Sequence, residues 1–136
     1  MDSYQKHLGE TAARAEYIDE KLHHGFQRIV DDVPAGASVL DIACGSATLL
    51  AALAAKGCTV TGIDLSPGAV AMSRAKGYDV VQGNADAFDS DPTLVEMFGR
   101  NPDYLCFSKC LGYLARKSDI FRTFGGRGIY VYQSNQ

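Results

Sequence analysis

Val39-Leu40-Asp41-Ile42-Ala43-Cys44-Gly45-Ser46-Ala47-Thr48-Leu49-Leu50, followed by Thr59-Val60-Thr61-Gly62-Ile63-Asp64, decides how this chain folds. An apolar run ends in an acid and a turn of small residues, then enters a helix rich in Ala and Leu. A second apolar run closes on a second acid, Asp64. Strand, tight turn, helix and strand in that order form the front half of a nucleotide-binding α/β unit. Small residues let backbone N–H groups of such a turn approach a ligand. An acid ending the second strand is placed to accept hydrogen bonds from the two hydroxyls of a ribose.

The glycine pattern narrows the ligand. A dinucleotide fingerprint, G-x-G-x-x-G, lays a diphosphate against the helix N-terminus. Here the positions around the turn are Ala43, Gly45 and Ala47, so only the middle glycine stands. A ligand without a phosphate makes a milder demand on that turn.

Four further segments follow in order: Leu65-Ser66-Pro67-Gly68-Ala69-Val70, Gln82-Gly83-Asn84-Ala85-Asp86, Tyr104-Leu105-Cys106-Phe107-Ser108-Lys109 and Gly125-Gly126-Arg127-Gly128-Ile129-Tyr130-Val131-Tyr132. With the first turn, in this order and spacing, the chain after residue 35 resembles a class I S-adenosylmethionine-dependent methyltransferase. That family's first motif reads acid-x-Gly-x-Gly-x-Gly, with alanine tolerated at the first glycine. Ala47 departs from the third, and its methyl group is expected to tighten the pocket.

The resemblance implies S-adenosylmethionine as cofactor and no metal. It places Asp41, Ala43, Cys44, Gly45, Asp64, Leu65, Asn84, Ala85 and Phe107 around that cofactor. Asp41 orients the turn and receives the cofactor's amino group, directly or through water; a structural acid is the competing reading. Gly45 permits close backbone approach, Asp64 takes the ribose, and Leu65 packs on the adenine. Asn84 replaces the usual aspartate at the adenine edge, beside Ala85. Its amide oxygen can accept from the adenine amino group while its NH2 donates to a ring nitrogen. Phe107 walls the methionine pocket, or is a core aromatic. Asp86 reads as a solvated loop acid.

The implied activity is methyl transfer to a small organic acceptor by in-line displacement, so an enzyme is expected. Cys106-Phe107-Ser108-Lys109 has no prolines, unlike the tetrad that family members use on amino groups of bases or glutamine. Leu111-Gly112-Tyr113-Leu114 looks more like the small-molecule enzymes. No general base can be named. His7, His23 and His24 could each take a proton near neutral pH, and Tyr4, Tyr17 and Tyr113 are comparable candidates, yet such residues are commonly surface groups. The rival class is a catalytically silent cofactor-binding module or partner subunit. A nicotinamide-dependent dehydrogenase is a more distant third.

Bulk properties fit a single small domain. The chain has 136 residues and a net charge of −3, with acids and bases interspersed. No basic run suits a phosphate backbone, so no nucleic-acid partner is expected. No apolar run approaches the roughly 20 residues that span a bilayer, and nothing resembles a signal peptide. Cys44, Cys58, Cys106 and Cys110 sit in or beside apolar segments without a zinc pattern. Buried, reduced thiols are expected, which points to cytoplasm.

Residues 1–34 read as an N-terminal helical cap segment, with apolar positions in steps of three and four and a break near Gly25. Residues 35–136 read as the Rossmann-like core: an α/β parallel sheet covered by helices on both faces. Gly57 ends the first core helix, Ser66 and Pro67 start the second, and Gly77 closes it. A strand is expected over 79–82, a helix from Asp91-Pro92 to Gly99, and a strand over 103–108. The C-terminal part looks incomplete or shortened, since few residues separate Leu114 from Gly125 and the family continues past its fifth strand. Lost residues, a reduced enzyme completed by dimerisation, and a removed loop are all open. So is a hairpin over 120–132 turning at Gly125-Gly126. An uncovered fifth strand would be an exposed edge, through which a homodimer could form.

Overall fold

The computed structural model describes residues 26–45, 47–108, 114–124 and 128–132. Five parallel strands make one sheet: β1 (Ser38–Ile42), β2 (Thr59–Asp64), β3 (Asp79–Gln82), β4 (Tyr104–Ser108) and β5 (Gly128–Tyr132), in the order β3-β2-β1-β4-β5. Helices connect them: α1 over 26–32, α2 (Thr48–Ala55), α3 (Pro67–Ala75), α4 (Pro92–Gly99) and α5 (Lys117–Phe124), with a 3₁₀ turn at Ala85–Ala87. The sheet order reverses at β1, whose neighbours are β2 and β4. In an open α/β sheet that reversal opens a crevice at the carboxyl ends of the strands, where ligands bind.

Strand periodicity sorts the core into two faces. Leu40, Ile42, Ile63, Leu105 and Phe107 join Leu94, Met97 and Phe98 of α4 and Ile120 of α5 in one cluster. Val39 and Cys106, the alternate positions, join Phe26, Ile29, Leu49 and Leu53 from α1 and α2 in another. A third cluster under α3 gathers Cys44, Ala47, Leu50, Val70 and Val80. Helices therefore cover both faces, and the central strands are apolar on both sides, as parallel strands require.

Local chemistry starts and stops each element. Ser66 Oγ accepts from Ala69 N–H at 3.4 Å and Pro67 opens α3, while Asp91 Oδ1 accepts from Thr93 N–H at 3.0 Å and Pro92 opens α4. Gly128 of β5 lies opposite Tyr104 of β4, and a Cβ there would collide with the tyrosine ring. At the amino ends of the central strands, Ser38 N–H donates to Asp103 Oδ2 and Asp103 N–H to Ser38 Oγ, each at 2.9 Å.

The hairpin alternative for the C-terminal part is not what forms. Residues 117–124 are helical, and β5 runs parallel to β4, with Leu105 opposite Ile129. Among the described residues the crossover carries one helix of eight residues. Among the described strands β5 is a sheet edge, as β3 is at the other side. Of the expected N-terminal helical segment, residues 26–32 are described and residues 1–25 lie outside the described set.

Candidate functional site

The turn between β1 and α2 has an unusual backbone. Ala43, Gly45 and Ala47 all lie in the left-handed region, at φ of 65°, 56° and 69°. Every second residue thus adopts the conformation that glycine tolerates and that costs an alanine roughly 1–2 kcal/mol. A Cβ built on Gly45 meets nothing within 4 Å. The turn's outer face at Gly45 is open space.

Hydrogen bonds hold the turn from within. Ile63 O at the end of β2 accepts from Ala43 N–H at 2.8 Å and Cys44 N–H at 3.3 Å. Asp64 Oδ2 accepts from Gly45 N–H at 2.8 Å, and Cys44 O from Ala47 N–H at 3.0 Å. Gly45 O accepts from Ser73 Oγ of α3 at 2.9 Å. Asp64 uses its other oxygen on Ser66 N–H, at 2.9 Å. The N–H groups of Ala43, Cys44, Gly45 and Ala47 are therefore spent inside the protein. Among the described residues of the turn, these four N–H groups do not face outward as the sequence suggested, and none of them is left to cradle a diphosphate.

The electrostatics point the same way. Asp41 and Asp64 are each 1% exposed, one near the end of β1 and the other at the end of β2. Burial pushes the Cys44 thiol far above its usual range, and the negative charges of Asp41 and Asp64 push it further. Cys106 is raised by burial first and then by Asp41. Both thiols are neutral, so neither is a thiolate nucleophile. No residue among 41–45 or 63–66 is basic. The turn is built around two anions.

Around this turn stand the other residues singled out in the sequence. Leu65 follows β2 and is 43% exposed, an uncovered apolar side chain at the carboxyl rim of the sheet. Asn84 is exposed on the turn after β3, where its Oδ1 accepts from Asp86 N–H at 3.0 Å, and Ala85 is buried beside it. Gly83 N–H donates to Asp64 O at 3.0 Å, which ties that turn to the end of β2. Phe107 is fully buried opposite Ile42 and meets the Phe121 ring edge-on at 5.2 Å between centroids. Ala47 is also fully buried, its methyl group in the core with Leu50, Val70 and Val80 rather than at the pocket. Asp86 is not a solvated loop acid: its carboxylate accepts from Ala115 N–H at 3.0 Å and Arg116 N–H at 2.9 Å. His7, His23, His24, Tyr4, Tyr17, Tyr113 and Cys110 lie outside the described residues.

Two contributors were not singled out in the sequence. Ser73 is fully buried and fixes the Gly45 carbonyl. Its signal was a serine on the buried stripe Ala69, Val70, Ser73 of α3. Gly62 is the other, since a Cβ there would lie 2.8 Å from Cys44 Sγ. No group of His, Cys, Asp and Glu among the described residues could hold a metal ion. No helix among them is long and apolar enough to cross a membrane.

Comparison with known proteins settles the family. Residues 23–122 match the methionine biosynthesis protein MetW family. The chain belongs to the MetW family. It is also 34% identical over 86 residues to a Geobacillus sp. (strain WCH70) protein that carries the name of a methyltransferase, a match covering 63% of this chain and 34% of that protein. Among solved structures it is similar to a TehB-like SAM-dependent methyltransferase from Corynebacterium glutamicum, with a TM-score of 0.65 at 22% identity over 93% of this chain and 72% of that one. It is also similar to the plantazolicin methyltransferase BpumL, solved with SAH, with a TM-score of 0.67 at 17% identity over 98% of this chain and 55% of that one. This MetW-family chain thus has the class I methyltransferase fold. It spans about a third of the length of the curated relative it matches.

Proposed function

We propose that this chain binds S-adenosylmethionine at the carboxyl ends of β1 and β2 and transfers its methyl group to a small organic acceptor. The observation that carries this reading is the turn after β1, where the Ala43, Cys44, Gly45 and Ala47 N–H groups are spent on internal hydrogen bonds and two buried carboxylates stand at the border. Such a site favours a cationic ligand with a sugar diol over an anionic dinucleotide. The residues fit the group. Asp64 closes β2 with a carboxylate whose oxygens accept backbone N–H groups, and a carboxylate is the acceptor type that a ribose diol needs. Asp41 supplies negative charge for an ammonium group, and the open space at Gly45 admits an amino-acid tail. Leu65 offers an exposed apolar surface to a base, and Asn84 retains an NH2 donor and a lone pair at its edge.

When bound, the cofactor supplies a methyl group on a positively charged sulfur, primed for in-line displacement. The chain's own work is alignment, which contributes up to about 7–11 kcal/mol in favourable cases. Asp64 and Ser73 fix the turn, so the bound ligand meets a surface that needs no rearrangement. No residue is assigned as general base, and an acceptor that is already a neutral amine or a thiolate needs none.

Calorimetric titration with S-adenosylhomocysteine and with NAD tests the binding half. Preference for the thioether nucleoside supports the proposal, and preference for NAD overturns it. Transfer of a labelled methyl group across amine, hydroxyl and thiol acceptors tests the chemistry. Tight binding without turnover on any of them favours a silent module.

A further inference from the structure

Asp86 and Arg116 form a reciprocal clip. The Asp86 carboxylate accepts from the backbone N–H groups of Ala115 and Arg116, and Arg116 Nη1 returns a bond to the Asp86 carbonyl at 3.3 Å. The guanidinium also forks onto Asp89 at 2.6 and 2.8 Å, donates to Asp119 at 3.0 Å, and lies 4.8 Å from the Phe88 ring centroid. Opposed planar groups make such forks geometrically specific. The side chains of Arg116, Asp89 and Asp119 are between a third and a half exposed, so screening leaves these ion pairs little net stability. Stability is therefore a poor account of why so many groups converge here.

Topology gives a better one. Asp86 follows β3, and residues 114–116 follow β4. In the sheet order those two strands are separated by β2 and β1. The clip therefore joins segments that leave the sheet on opposite sides of the β1 reversal. It also continues from the candidate site, because Asp86 N–H donates to Asn84 Oδ1. Asn84, Asp86 and the 115–116 backbone form one unbroken hydrogen-bonded path.

We infer that Asp86 and Arg116 are positioning residues that couple the nucleoside-facing turn at Asn84–Ala85 to the segment entering α5, so that cofactor binding sets where residues 115 and 116 lie. The inference rests on the proposed cofactor site and adds a mechanical link between its two sides. Neither residue touches the ligand in this account. Their effect passes through the backbone.

Amide hydrogen exchange on the full chain, with and without S-adenosylhomocysteine, tests it. In the wild type the ligand slows exchange at Ala115 and Arg116 as well as at residues 84–86. In Asp86→Asn calorimetry still finds binding within about threefold, residues 84–86 are still protected, and the ligand-dependent slowing at 115–116 is lost. A purely structural role would raise exchange at 115–116 equally in both states and keep the ligand-dependent difference. Arg116→Lys keeps the backbone bonds to Asp86 but removes the fork; it should retain part of the slowing, and it serves where Asp86→Asn fails to fold. Unchanged ligand-dependent slowing in both variants overturns the coupling alone, as does its absence in a wild type that binds. A wild type that binds no S-adenosylhomocysteine overturns the functional proposal and this inference with it.

Discussion

Asp64→Asn isolates the group on which the turn depends. The native carboxylate accepts from Gly45 N–H at 2.8 Å and Ser66 N–H at 2.9 Å while 1% exposed. The amide keeps the shape but turns one acceptor into an NH2 donor. Whichever way it flips, one backbone N–H then faces another donor in a buried site. Losing one bond to a charged acceptor costs about 1.5–3 kcal/mol, and weakening the other from charged to neutral adds up to roughly 1. The expected loss is about 1.5–4 kcal/mol. With an unfolding entropy near 2.1 cal/mol/K per residue, a domain this size loses roughly 3.5 °C per kcal/mol, or about 5–14 °C. Thermal unfolding followed by circular dichroism measures this directly, and calorimetry with S-adenosylhomocysteine should show weakened binding in the same variant. A melting point within about 2 °C of the wild type, with affinity unchanged, would refute the role given to this carboxylate.

Other perturbations separate the remaining parts of the site. Gly45→Ala places a methyl group in open space at φ 56°, so stability should fall by about 1–2 kcal/mol while S-adenosylhomocysteine affinity falls more than tenfold; equal affinity would place the ligand elsewhere. Ser73→Ala strips the Gly45 carbonyl of its buried donor and should cost about 1–3 kcal/mol in urea unfolding; an unchanged midpoint would show that the turn stands without it. Gly62→Ala forces a Cβ to 2.8 Å from Cys44 Sγ, a loss of about 1–3 kcal/mol; adding Cys44→Ala should recover much of it, and strict additivity would contradict the clash. Hydrogen bonding to Arg116 holds the Asp89 carboxyl below its ordinary value. Its folded pKa is depressed, so the contribution is complete above the ordinary aspartate value of about 3.9 and vanishes as pH falls through the depressed one. The melting difference between wild type and Asp89→Asn should be flat above that value and close below it; a difference persisting in stronger acid would be inconsistent with the ion pair.

What the sequence disclosed was governed by local rules. The apolar runs, the Ser66-Pro67 start and the glycines at 57 and 77 act within a few residues of themselves, and the strands and helices form where these signals lie. The class I methyltransferase resemblance agrees with the observed sheet order. The hidden parts involve groups far apart in the chain. The destination of the Gly45 N–H depends on Asp64, and the work of Asp86 depends on Arg116, 30 residues on. Ala47 misled for a related reason. Its left-handed backbone follows from the turn, but the direction of its methyl group follows from α3 and β3 packing over it.

The pairing of Val39 with Tyr104, and the Ser38–Asp103 exchange of bonds across 65 residues, has a consequence for biosynthesis. One flank of β1 has no partner until β4 leaves the ribosome. At translation rates of 5–20 residues per second that wait lasts roughly 3–13 s. Throughout it the nascent βαβ half presents a raw hydrogen-bonding border, so chaperone capture during synthesis should concentrate before β4 emerges.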